Sequence, residues 1–175
     1  MNSSFPLIYV SLLLLLLAIA GVAVLRQIIK TRKTEIVLSK LQAKLTKEVG
    51  TAAEYYELGS IYLDKKIFTQ AITLFQKGLK SAELSAAECA LIHNALGFAY
   101  FSQEQYDLAI RQYKDALKAD PNYVTALNNL GHAYERKQLS SQALEFYEQA
   151  LELDPANATA KRRADSLRKR LVPSA

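Results

Sequence analysis

The side chains best suited to nucleophilic, acid–base or metal chemistry near neutral pH are Cys89, His93 and His132. A single Cys excludes an intramolecular disulfide and a zinc site built of four cysteines. The two His stand 39 residues apart, a spacing unlike that of a histidine metal site. No G-x-S-x-G, P-loop, G-x-G-x-x-G or H-E-x-x-H motif occurs. The carboxylates are scattered over solvent faces of predicted helices, with no recurring pair for acid–base work. Catalytic residues, a metal and a cofactor are therefore not expected, and neither is a small-molecule substrate. His93 is read as a packing residue and Cys89 as a bystander thiol.

The recurring residues are aromatic, small and aliphatic instead. Leu58-Gly59-Ser-Ile-Tyr62, Leu96-Gly97-Phe-Ala-Tyr100 and Leu130-Gly131-His-Ala-Tyr134 align on one frame. Each continues with an Ala (71, 109, 143), then an aromatic (Phe75, Tyr113, Tyr147), a small residue (Gly78, Ala116, Ala150) and a Leu (79, 117, 151). Asp120-Pro121 and Asp154-Pro155 close the second and third copies. Self-similarity at a fixed period is the signature of stacked supersecondary units, none of which can bury its apolar face alone.

These copies resemble the tetratricopeptide repeat, a helix–turn–helix unit of 34 residues. The repeats fall at 52–85, 90–123 and 124–157, with residues 86–89 as an insert. The resemblance implies an all-α superhelix of three helix–turn–helix repeats plus a capping helix. The small framed residues let paired helices approach closely. Pro121 and Pro155 are expected to stop one helix and open the next. A basic juxtamembrane segment and lead-in helix, residues 26–51, places Leu38, Leu41, Leu45 and Val49 on one face. Residues 158–175 form the basic cap, burying Ala160, Ala164, Leu167 and Leu171 on one side.

Ahead of the repeats, 18 of the 21 residues from Phe5 to Leu25 are apolar and none is charged. As a helix they span about 31 Å, matching a hydrocarbon core of ~30 Å. A cleaved signal peptide is the competitor, with Ala18-Ile19-Ala20 as the cleavage site, but no basic residue precedes the run. Residues 5–25 therefore read as a transmembrane helix. Arg26, Lys30, Arg32 and Lys33 follow it, which by the positive-inside rule puts the rest of the chain on the cytoplasmic side or its organellar equivalent. Residues 34–157 carry 12 basic and 16 acidic residues, so the formal charge of +5 belongs to the two ends. An acidic folded middle repels phosphate, which argues against a nucleic-acid partner.

The repeat's functional surface is usually the concave groove lined by the first helix of each pair. The resemblance places Tyr56, Asn94, Phe98, Phe101, Asn128 and His132 there as a partner-binding groove, with Phe98 and Phe101 apolar where solvent would be expected. Related proteins that clamp a chaperone's terminal carboxylate use Lys, Asn and Arg at set positions. Here those positions hold Tyr56, Ser60, Ala95, Thr125 and Asn129, so that clamp is missing. A second contact patch is expected on the cap: Lys161, Arg162, Arg163, Arg168, Lys169 and Arg170, facing anionic lipid or an acidic partner.

Beyond the repeats, Leu25-Arg26-Gln27, the stretch from Lys44, Glu54-Tyr-Tyr-Glu-Leu-Gly, the stretches from Ala95 and Gln105, and Ala158-Thr-Ala-Lys-Arg-Arg-Ala together resemble one family. It is the membrane-anchored tetratricopeptide protein of cyanobacteria and algal plastids that assists photosystem I assembly. The resemblance implies a non-enzymatic, single-pass scaffold of the thylakoid membrane, its repeats on the cytoplasmic or stromal side. Its partners would be photosystem I subunits or other assembly factors. The alternative is a generic bitopic adaptor for protein import or cytochrome maturation.

Overall fold

The computed structural model describes residues 4–171, and every regular element among them is an α-helix. The chain divides into two compact units, one ending at Lys47 and one beginning at Glu48.

The first unit is one helix, α1, Ser4–Lys47. It contains both the predicted membrane segment and most of the predicted lead-in helix, with no break at the basic residues between them. No Pro or Gly interrupts residues 22–47, and Leu, Ile, Lys, Gln and Ala there are good helix formers. Val49 lies beyond the end of α1 and is 91% exposed, so it does not share the face expected for it. The helix is long and apolar enough to cross a membrane, and Leu12 to Leu17 are all exposed.

The second unit is a stack of seven helices: α2 (Ala52–Asp64), α3 (Phe68–Gly78), α4 (Ala86–Ser102), α5 (Tyr106–Ala119), α6 (Val124–Arg136), α7 (Ser140–Leu153) and α8 (Ala158–Leu171). Each packs on the next in chain order, and the first helices of the repeats also touch one another, α2 on α4 and α4 on α6. The framed glycines mark where the pairs meet. A Cβ added to Gly59, Gly97 or Gly131 would stand 2.6, 2.6 and 3.0 Å from the ring of Phe75, Tyr113 and Tyr147 respectively. Each ring is almost wholly buried. The core forms two clusters, with Tyr100 packed against both.

The residues flanking the helices explain their bounds. Thr51 with Glu54, and Ser85 with Glu88, form reciprocal capping boxes at the starts of α2 and α4. The insert 86–89 is absorbed as one extra turn, so α4 has 17 residues where α2 and α6 have 13. Four residues make nearly one turn of 3.6, so the packing face of α4 is preserved. Pro121 and Pro155 do not open the next helix. Each sits in a turn, after an Asp whose carboxylate accepts a hydrogen bond from the N–H two residues on, and α6 and α8 begin only at Val124 and Ala158. Within each repeat, the turn between helices passes through a left-handed residue that is not glycine: Lys66, Glu104 or Gln138.

Candidate functional site: the face of the first helices

The first helices of the repeats lie side by side, so their framed positions form one surface. At its N-terminal end it is neutral. Asn129 Nδ2 donates to Asn94 Oδ1 at 2.9 Å, and Asn94 Nδ2 donates to the Tyr123 hydroxyl at 3.4 Å. Tyr56 is half-buried, its ring tilted at 6.0 Å on Phe75. Burial raises the Tyr123 hydroxyl pKa, and proximity to Tyr56 and Asp120 adds to that, so the hydroxyl stays protonated and can donate.

Tyr123 was absent from the sequence reading because it belongs to no first helix; it precedes α6. A signal existed. The equivalent positions before α4 and α8 are Ser85 and Asn157, whose side-chain oxygens accept from helix N–H groups. Tyr123 occupies a capping position yet makes no side-chain cap. A ring placed where a cap belongs, reaching Asn94, extends the face of the first helices.

In the middle of the face, Phe98 is 45% exposed and Leu91, two turns earlier on α4, is also exposed. Phe101 differs from the expectation that paired it with Phe98. Its ring lies tilted on His132 at 4.7 Å and meets Tyr106 edge-on at 5.4 Å, and it packs on the core of the second and third repeats. Phe98 alone presents a largely free phenyl face. Asn128 Oδ1 is enclosed and accepts no hydrogen bond from any described residue. His132 is held below the ordinary His pKa, first by burial and then by the Arg163 charge, against which Glu135 acts weakly.

The C-terminal end is charged. The Glu135 carboxylate accepts from the Tyr147 hydroxyl at 2.8 Å and lies 3.7 Å from Arg163 and 3.5 Å from Arg170 of α8. Arg168 pairs with Glu148 at 2.7 Å and with Asp165 at 3.2 Å. Three of the six cap cations, Arg163, Arg168 and Arg170, therefore lie within ion-pair distance of carboxylates on α6 and α7. Lys161, Arg162 and Lys169 remain exposed. His93 bonds Gln112 through Nδ1, and Cys89 lies half-buried in the first turn of α4.

An all-helical stack of such pairs is a protein-interaction fold. Family models described as tetratricopeptide repeat match residues 55–83 and 124–157, and one described as TPR repeat matches residues 97–138. The chain is a tetratricopeptide-repeat protein, and none of these matches indicates a catalytic family. Within that class it belongs to the ycf37 family. It is 38% identical to ycf37 of Cyanophora paradoxa over 126 residues, 72% of each chain. To ycf37 of Guillardia theta it is 37% identical, over 74% of this chain and 73% of that one. The chloroplastic tetratricopeptide repeat domain-containing protein PYG7 of Arabidopsis thaliana is 35% identical over 72% of this chain, which spans 42% of that protein. Among solved structures, MamA superposes with a TM-score of 0.71 at 21% identity, covering 81% of this chain and 82% of that one. The first repeat domain of Spaghetti (RPAP3), bound to an HSP90 peptide, gives 0.64 at 22% identity, covering 71% of this chain and 95% of that one. These two share the fold.

Proposed function

We propose that the protein is a non-enzymatic scaffold of the thylakoid membrane. Residues 5–25 anchor it, the repeats face the cytoplasm or stroma, and the concave groove holds a segment of a photosystem I subunit or assembly factor. Membership in the ycf37 family, a chloroplastic relative and an α1 whose apolar run ends at Leu25 and is followed within the helix by four cations support the setting. The single observation that carries the groove is Phe98. It is 45% exposed, one turn from the half-buried, hydrogen-bonded Asn94. An exposed aromatic beside polar amides suits an aliphatic anchor from a partner.

Phe98→Ala alone tests this, because Phe101 also packs the core. Truncating an interface anchor typically costs over ~2 kcal/mol, or about 30-fold in affinity. The variant should accumulate in membranes and melt like the parent. It should recover less of its partner and lower photosystem I relative to photosystem II in a photosynthetic host. A variant that is present, folded and supports normal photosystem I content would remove the groove from consideration.

A further inference from the structure

The junctions between successive second helices, α3 with α5 and α5 with α7, occupy the same place in the repeat frame but have opposite linings. Between α5 and α7, over α6, lies an open cavity of about 370 Å³ whose apolar lining is Leu117, Leu127, Leu130 and Phe146 and whose polar lining includes Lys118 and Gln149. In the preceding junction, the positions of Leu127 and Phe146 are held by His93 and Gln112, 34 residues earlier, and these two bond at 2.8 Å. The fold thus accepts a polar closure here. The apolar opening is a property of this junction and not of the repeat.

The charges differ in the same way. Arg111, Lys114 and Lys118 recur at i, i+3 and i+7 along α5, all exposed. Their equivalents on α7 are Glu145, Glu148 and Glu152, and α8 answers that acidic row through Arg168 on Glu148 at 2.7 Å. Among the described residues no carboxylate of another helix pairs with the α5 row. Lys118 pairs with Asp115 of its own helix, and Lys114 Nζ lies 5.7 Å from the centre of the Tyr134 ring. α8 stands to α7 as α6 stands to α5, so Arg168 on Glu148 and the Tyr134 ring by Lys114 occupy the same framed place.

We infer that the α5–α7 furrow is a second docking surface, separate from the groove, and that it takes an acidic amphipathic helix of a partner protein. The helix would set aliphatic side chains into the Leu127–Phe146 opening and carboxylates along Arg111, Lys114 and Lys118. This is the mode in which an amphipathic helix lies in an apolar furrow. The scaffold would then hold two segments at once, one on each face.

The probe is a synthetic helical peptide of about 15 residues, carrying Glu at i, i+3 and i+7 beside a pair of Leu. Its binding to the full chain in detergent is followed by fluorescence anisotropy. Saturable binding is expected, weakened at least tenfold in K114E/K118E and recovered by that variant when the peptide's Glu are replaced by Lys. L127H/F146Q, which installs the pair of the earlier junction, should weaken it similarly, and Phe98→Ala should leave it unchanged. The exposed lysine pair keeps the test valid should L127H/F146Q fail to fold. Equal affinity of K114E/K118E and parent for the acidic peptide would overturn the inference, as would failure of the charge-reversed peptide to bind the variant. Loss of binding in Phe98→Ala would assign the peptide to the groove instead.

Discussion

The first and third repeats are built on the same notch and ring, yet they finish it differently. In the first, the notch at Gly59 is filled by Phe75, whose ring ends in hydrogen. In the third, the notch at Gly131 is filled by Tyr147, whose hydroxyl donates to Glu135 at 2.8 Å. Glu135 in turn gathers Arg163 and Arg170 from the cap. The position equivalent to Glu135 in the first repeat is Leu63, which has nothing to accept a hydroxyl proton. One oxygen atom therefore turns a packing contact into a polar tie that fastens the last helix. The ring satisfies the fold, and the hydroxyl serves the local charge pattern.

The largest expected difference lies in the depth of the notch. An Ala methyl at Gly59 would meet the Phe75 ring at 2.6 Å, whereas at Gly131 the Tyr147 ring stands at 3.0 Å. Overpacking a tight core contact costs about 1–3 kcal/mol, and Ala in a helix returns ~1 kcal/mol relative to Gly. Gly59→Ala should lose about 2 kcal/mol and several degrees of melting temperature, and Gly131→Ala less than about 1 kcal/mol. Thermal melts of the full chain in detergent by circular dichroism measure both. Equal losses would mean that the two notches relax alike and that the comparison fails at its base.

The hydroxyl gives the next effect. Tyr147→Phe makes the third repeat like the first and leaves Glu135 with its two Arg alone. A buried hydrogen bond contributes about 1 kcal/mol, somewhat more when its acceptor is charged. The reverse change, Phe75→Tyr, places a hydroxyl beside Leu63 and should also destabilise, by about 1–3 kcal/mol, for want of a partner. Denaturant titration of both variants distinguishes this from a general preference for Tyr. Should Phe75→Tyr prove neutral, the hydroxyl reaches solvent and its pairing in the third repeat contributes little.

Residues whose environment is set by the repeat itself were legible in the sequence. The Leu-Gly-x-x-Tyr segments, the ring four residues after each framed Ala, and the buried Ala160, Ala164 and Leu167 of the cap follow from helical period and stacking alone, whereas Leu171, expected beside them, ends α8 and is exposed. Phe98 was legible as an apolar residue on a first helix, and it is 45% exposed. What escaped depends on a residue distant in sequence. Phe101 shares a face with Phe98 on α4, but the neighbours that cover it, Tyr106 and His132, come from α5 and α6. The basic residues of the cap look alike in sequence; only the approach of Glu135 and Glu148 separates the paired from the free. Pro121 fits a helix start as well as a turn, and the Asp120 carboxylate accepting from Asn122 N–H decides for the turn.

The smallest prediction concerns a feature that the first and third repeats share without difference. Lys66 and Gln138 have φ of 61° and 62°, the left-handed region, at the turn between paired helices. The following N–H of Ile67 and Leu139 reaches back to the carbonyl of Tyr62 and Tyr134, at 2.8 and 3.0 Å. This is the six-to-one bond of a helix end normally closed by glycine. A side chain there costs about 1–2 kcal/mol through its Cβ, of which glycine's extra freedom in the unfolded chain takes back about 0.5–1. Lys66→Gly and Gln138→Gly should each stabilise by about 0.5–1 kcal/mol, equally and additively, because the sites are far apart and share no partner. Unlike the notch and the hydroxyl, this pair is expected to show no difference between the repeats. A gain at one site and a loss at the other would mean that the exposed Lys or Gln side chain contributes to its turn. The contrast between the repeats would then extend to their backbone.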